Sequence, residues 1–252
     1  MSVLQIKNLT KTYPGGKVAV KDLSLDIEPG DIYGFIGHNG AGKTTAIKCV
    51  TGIIGFEKGE IYIDGISIKE DSQKTKSIIA YIPDNPDLYD YLTGIQYLNF
   101  IADVFEVDKE TRNNRIEKYG KLFEIYGDLG SLISSYSHGM KQKLAIISAL
   151  IHQPKLLILD EPFVGLDPVA TIKLKEIMHE LCSMGSAIFF STHVLDVAEK
   201  LCNKIAIIKK GELIASGKIE ELTEGTQEWR DAINEANDNG GFDNVSVILL
   251  EG

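Results

Sequence analysis

The sequence predicts an α/β fold: a doubly wound, mainly parallel core sheet with an N-terminal antiparallel β-subdomain and an inserted α-helical subdomain. Three features predict it. The runs "DIYGFIG" (31–37), "LLILD" (156–160), "AIFFSTH" (187–193) and "KIAIIKKG" (204–211) are continuously apolar. Strands of that kind are covered on both faces and lie in the middle of parallel sheets. Helical stretches separate most of them, as crossover connections require. The first sixty-odd residues alternate instead, Leu23, Leu25 and Ile27 being separated by Ser24 and Asp26, like half-buried strands.

The elements follow in order. "EIYIDG" (60–65) repeats the alternation and ends in an Asp-Gly turn. From Leu88 to about His152 the pattern is helical, and this is the inserted subdomain, with Tyr89, Tyr91, Tyr97, Phe100 and Phe105 read as its core. Met140, Leu144, Ile147 and Ile151 fall at spacings of four, three and four and make one helical stripe, which Pro154 closes. Residues 1–223 read as one domain and 224–252 as a separate tail.

Composition narrows the function classes. The formal charge of −10 argues against non-specific nucleic-acid binding, which depends on Lys and Arg meeting phosphates. The longest apolar run, "LAIISALI" (144–151), is far short of the roughly 20 residues of a spanning helix. "MSVLQIKNLTK" lacks the apolar centre of a signal peptide. Cys49, Cys182 and Cys202 offer neither a disulfide framework nor a metal-ligand spacing. A soluble, intracellular chain is expected, with any membrane role supplied by a partner.

Gly37 to Thr44 reads G-x-x-x-x-G-K-T between an expected strand and an expected helix, the context a phosphate loop requires. Backbone N–H groups of Gly37, Asn39, Gly40, Ala41 and Gly42, continuing to Thr45, would wrap the phosphates. Lys43 would reach the β/γ oxygens and the Thr44 hydroxyl would ligate Mg²⁺. Asp160, at a strand end in "LLILDEP", would hold Mg²⁺ through a water, and Glu161 would polarise an attacking water. His193 ends the strand "FFSTH", within reach of the γ-phosphate. "SSYSHGMKQKLA" (134–145) looks like a second helix start built for an anion, with Ser137 offering a hydroxyl and Gly139 allowing close approach to the backbone.

Taken together, Tyr13, "GHNGAGKTT", "YSHGMKQK", "LLILDEP", "VGLDP" and "STH" resemble the nucleotide-binding subunit of ATP-binding-cassette (ABC) transporters over about residues 3 to 222. The resemblance implies a P-loop NTPase that binds ATP and Mg²⁺, with Glu161, His193 and Lys43 catalytic. It implies that two subunits pack head to tail, as a homodimer or with a paralogous ATPase subunit. Ser137 and Gly139 of one would then cap the γ-phosphate on the other's loop, helped by the helix dipole. Tyr13 would stack on adenine, Asp167 would cross the dimer interface, and "AYIPDNPDLYD" would sense an integral membrane permease, with Pro86–Tyr91 accepting a short helix. The expected location is cytoplasmic, peripheral on the inner face of the membrane, and the wording of "YSHGMKQKLA" and "FVGLDPVA" resembles exporters.

Two departures stand out. Asp84 replaces the family's usual glutamine and is a candidate Mg²⁺ ligand; like charges about 4 Å apart cost roughly 4 kcal/mol at an effective dielectric near 20 unless metal offsets them. His138 replaces a glycine. The rival class is a soluble ABC ATPase acting as a switch on ribosomes or DNA. Those usually carry two cassettes or a long coiled coil, and neither is present. A GTPase is excluded because "NKIA" (203–206) lacks the aspartate that reads guanine. In the tail, "GGFDN" resembles the closing motif of PPM-type phosphatases, with Asp243 at the metal-binding position; the other acidic motifs are missing, so phosphatase activity is not expected.

Overall fold

The computed structural model describes residues 1–223. The tail 224–252, with Asp243, lies outside the described residues. Strands β1 (Leu4–Thr12), β2 (Val18–Ile27), β4 (Lys58–Ile63) and β5 (Ile66–Ser67) form an antiparallel sheet in the order β2-β1-β4-β5. A second sheet takes β3 (Ile32–Ile36), β6 (Ile79–Ile82), β7 (Leu156–Asp160), β8 (Ala187–Thr192), β9 (Lys204–Lys209) and β10 (Glu212–Lys218) in the order β10-β9-β3-β8-β7-β6. It is parallel except for the β9–β10 hairpin. Every residue of β3, β7 and β8 is buried, which is why those runs are continuously apolar.

Successive side chains of the central strands divide between two cores. Leu157, Leu159, Ile188 and Phe190 face helices α5 (His138–Leu150), α6 (Pro168–Ser183) and α7 (Leu195–Leu201). Phe35, Ile158, Phe189 and Ile208 face α1 (Lys43–Val50) and the antiparallel sheet. Gly34 sits where a Cβ would come within 2.8 Å of Cys202 Sγ, so the strand lets the end of α7 lie directly on it.

Short helix α2 (Ser72–Ser77) precedes β6. Between β6 and β7 run α3 (Gly94–Val104), α4 (Lys109–Leu122) and α5. Local chemistry starts each of them. Thr93 and Gln96 form a capping box, Asp108 accepts the N–H groups of Glu110 and Thr111, and Ser137 accepts that of Met140. Along α5, Leu144, Ile147 and Ile151 of the expected stripe are fully buried, and burial extends all round the helix from Leu144 to Leu150. Neighbours on several sides, α3, α4 and β6, account for that.

The aromatic reading needs correction. Tyr89, Tyr91 and Phe100 are 45%, 75% and 44% exposed, while Tyr97 and Phe105 are half-buried. The core of this layer is Leu98, Ala102, Ile116, Tyr119, Phe123, Ile133 and Tyr136. Leu98 and Ala102, four apart, define the inward stripe of α3, and Phe100 falls off it. Tyr89 instead gathers Tyr91, Tyr97 and Phe100 into a surface cluster with ring centroids 5.9, 6.1 and 5.8 Å away. Phe105 stacks flat on His152, whose Nε2 donates to the Ile79 carbonyl at 3.0 Å.

Phe123→Ala should cost about 3–5 kcal/mol in urea unfolding, and Tyr91→Ala no more than about 0.5 kcal/mol. Equal costs would put the core back on the surface aromatics. Burial pushes the His152 imidazole down to about 4, opposed by the bond to the Ile79 carbonyl and helped by nearby Arg115. The folded ring stays neutral while the unfolded chain takes up a proton, so stability is lost as pH falls from about 6.5 towards 4. His152→Gln should lose less stability than wild type between pH 6.5 and 4.5, and equal losses in urea titrations would count against this account.

Candidate functional site

The phosphate loop leaves the C-terminal end of β3 and runs straight into α1. It lies flush against its neighbours. A Cβ on Gly37 would come 2.5 Å from the Ile208 carbonyl, and one on Gly42, at φ 112°, would come 2.4 Å from the Ala19 carbonyl. Glycine is required at both, by close approach at the first and by approach plus left-handed backbone at the second. Lys43 folds back so that Nζ donates to the Gly37 carbonyl at 2.6 Å, and only 6% of the residue is exposed. Burial holds its ammonium below the ordinary lysine range, against the pull of Glu161 and Asp160.

Two acids meet that lysine. Glu161 Oε1 is 3.5 Å from Lys43 Nζ and 3.1 Å from His193 Nδ1, so one carboxylate oxygen joins the other two expected catalytic residues. Glu161 has φ 48°, and its N–H donates to Ser191 Oγ at 3.1 Å, so β8 fixes the turn. Left-handed backbone at a glutamate is strain of the kind that collects at functional sites. Asp160 is buried; its Oδ1 accepts the Ser191 hydroxyl, and its Oδ2 is buried with no partner among the described residues.

At the other end Tyr13 is exposed, its hydroxyl 3.4 Å from Thr45 Oγ1 and its ring 5.7 Å from the Lys11 ammonium. Lys11 is anchored by Glu57 at 2.8 Å. Tyr13, Asn39, Gly40, Gly42, Lys43, Thr44, Thr45, Asp84, Asp160 and Glu161 line one open cleft of about 380 Å³. Asp84 is exposed there, with Oδ1 accepting the Asn85 N–H at 2.8 Å. Gly37 and Ala41 are buried beneath the loop, and His193 reaches the cleft through Glu161. Lys17, Val18, Ala19, His38 and Lys210 also line it. Apart from His38, inside the phosphate loop, they carry no motif, and only packing of β2 and the β9–β10 turn against the loop brings them there.

Ser137, Gly139 and Asp167 lie elsewhere and line no part of this cleft. Ser137 is exposed and caps α5 through the Met140 N–H at 3.2 Å. The His138 ring lies over Gly165, where a Cβ would come 2.6 Å from Cδ2. Asp167 caps α6 by accepting the Ala170 N–H at 2.8 Å and pairs with Lys143 at 2.7 Å, which holds its carboxyl below the usual range. The start of α5 and the 163–167 loop thus form a second polar surface, with first-turn N–H groups that have no intrahelical acceptor.

The chain has counterparts in known proteins. The model of the family described as "ABC transporter" matches residues 20–164. The ABC-type transporter ATP-binding protein EcsA of Bacillus subtilis is 39% identical over 224 residues, covering 89% of this chain and 90% of the relative. The linearmycin resistance ATP-binding protein LnrL of the same organism is 34% identical, covering 87% and 70%. A solved ATP-binding subunit of an ABC transporter superposes with a TM-score of 0.87 at 31% identity, over 93% of this chain and 99% of that one. An ATP-binding cassette solved as a dimer in a post-hydrolysis state, bound to ADP and Pi, gives a TM-score of 0.77 at 25% identity, over 86% and 98%. On sequence, fold and the chemistry of the cleft alike, the chain belongs to the ABC transporter family, as an ATP-binding subunit that hydrolyses ATP.

Proposed function

We propose that two copies of this chain, or this chain and a paralogous subunit, close head to tail over two ATP molecules and so drive an integral membrane permease, in the direction of export. The observation that carries it is the separation of two incomplete half-sites on one chain. Among the described residues the cleft receives nothing from the start of α5, and the start of α5 has only its own Ser137 as cap and no acidic residue in its first turn. A second subunit satisfies both. The dimeric ADP-bound cassette among the similar structures supports this reading, and likeness to a resistance protein's ATP-binding subunit supports export.

The chemistry follows from the residues. Tyr13 stacks on the base, the loop N–H groups hold the phosphates, and Lys43 exchanges Glu161 for phosphate oxygens. Glu161, freed of the lysine but still held by His193, takes the proton of the attacking water. Ser137 and Gly139 of the opposite chain close the site, and Asp167 shapes the junction. Thr44, the buried orphan Oδ2 of Asp160, and Asp84 fit a Mg²⁺ ion, which when bound would offset phosphate charge. Among the described residues no three His, Cys, Asp or Glu are grouped to hold a metal, so these residues would hold the ion only together with nucleotide oxygens and water.

The exposed aromatic cluster beside Pro86–Tyr91 is the docking place for a short helix of the permease. Attachment to the inner face would run through that partner; no helix among the described residues is long and apolar enough to cross a membrane.

Glu161→Gln should keep ATP binding, lower turnover about 10²–10⁴-fold and accumulate an ATP-dependent dimer on size exclusion. Turnover at the wild-type rate would remove Glu161 from the role of base. Mixing Ser137→Arg with Lys43→Ala chains leaves one intact composite site per heterodimer. The mixture should hydrolyse ATP well above either variant alone, and absence of rescue would refute sharing across the interface.

A further inference from the structure

Lys210 stands in a conformation that its side chain does not favour. Lys209 pairs with Glu212, so Lys210 and Gly211 form a two-residue hairpin turn, with φ 49° and 86°. Positive φ at both central positions defines the turn type that prefers Asn-Gly or Asp-Gly. The same chain supplies the comparison. Asp64 and Gly65, between the paired Ile63 and Ile66, have φ 51° and 77° and carry a favoured residue. At the β9–β10 turn a lysine takes that place instead.

The turn is clamped to the phosphate loop. The Gly211 N–H donates to the Ala41 carbonyl at 2.8 Å, and the Gly211 carbonyl accepts the Lys21 N–H at 2.8 Å. A Cβ on Gly211 would come 2.8 Å from the Ala19 carbonyl, so the turn cannot shift without moving loop or strand. The backbone therefore holds Lys210 at the wall of the nucleotide cleft, exposed to its solvent.

Charge gives the position its meaning. Asp84, Asp160 and Glu161 line the cleft against Lys17, Lys43 and Lys210. Lys43 sits deep and is already engaged by Glu161 at 3.5 Å. Without the two outer lysines, three carboxylates and one ammonium would face a polyphosphate on a chain of net charge −10. We infer that Lys210 is a nucleotide-binding residue: its ammonium contacts a phosphate common to ATP and ADP, and the strained turn is kept because it delivers that charge beside the loop.

Binding to the full chain, measured by calorimetry with EDTA present so that no ATP is consumed, tests this. Lys210→Asn removes the charge and suits the turn. It should weaken both ATP and ADP about fivefold, the size an exposed ion pair carries, and flatten the salt dependence of binding. It should melt at or above the wild-type temperature. Lys210→Arg should bind within about twofold of wild type. Wild-type binding in the same buffer establishes that the cleft itself works. Unchanged affinity in Lys210→Asn, a loss confined to ATP, an equal loss in Lys210→Arg, or a lower melting temperature in Lys210→Asn would each overturn the assignment.

Discussion

The structure turns on one buried ammonium. Lys43 carries a charge where little water reaches, held by the Gly37 carbonyl and the Glu161 carboxylate. A buried charge survives only if paired and hydrogen-bonded, so the loop must close tightly and an acid must arrive from another strand. The glycines at 37 and 42 permit the first, and the left-handed backbone of Glu161, bonded to Ser191, supplies the second. Three neighbouring parallel strands, β3, β8 and β7, bring their carboxyl ends to one edge and so deliver the loop, Ser191 and the acids to the same place. Ligand crevices of open α/β sheets form at such carboxyl ends.

The ion pair also shows what kind of group the lysine takes. The Glu161 carboxylate meets Lys43 as an anionic oxygen, and His193 shares the same oxygen. Asp160 is fastened differently, one oxygen tied to Ser191 and the other buried without a partner among the described residues. An orphaned buried carboxylate oxygen carries a desolvation cost that a cation or its water removes.

Sequence and tertiary structure contributed unequally from place to place. Continuous apolar runs announce β3, β7 and β8 because central strands have no solvent face. Glycines 37 and 42, Lys43 and the Asp160–Glu161 pair are legible because backbone conformation and phosphate chemistry restrict those positions to few residue types. Tyr89, Tyr91 and Phe100 were misread as core, since an aromatic side chain has the same hydropathy on a surface cluster as inside a helix layer. Lys17 and Lys210 were illegible for the opposite reason: lysines are common on surfaces, and nothing local marks the two that face a cleft.

By itself, then, the chain determined the sheet's centre, the glycine-rich loop after β3 and the two acids at the end of β7, because each rests on contacts close in sequence or on residue-specific geometry. Only the tertiary structure decided that one Glu161 oxygen serves both Lys43 and His193. It alone placed Asp167 against Lys143, exposed the aromatics before α3, and pinned a strained turn from residues 210–211 to the loop at Ala41. Those are contacts between residues that meet only when strands and helices distant in sequence are stacked, and their energies depend on distances that no local pattern records.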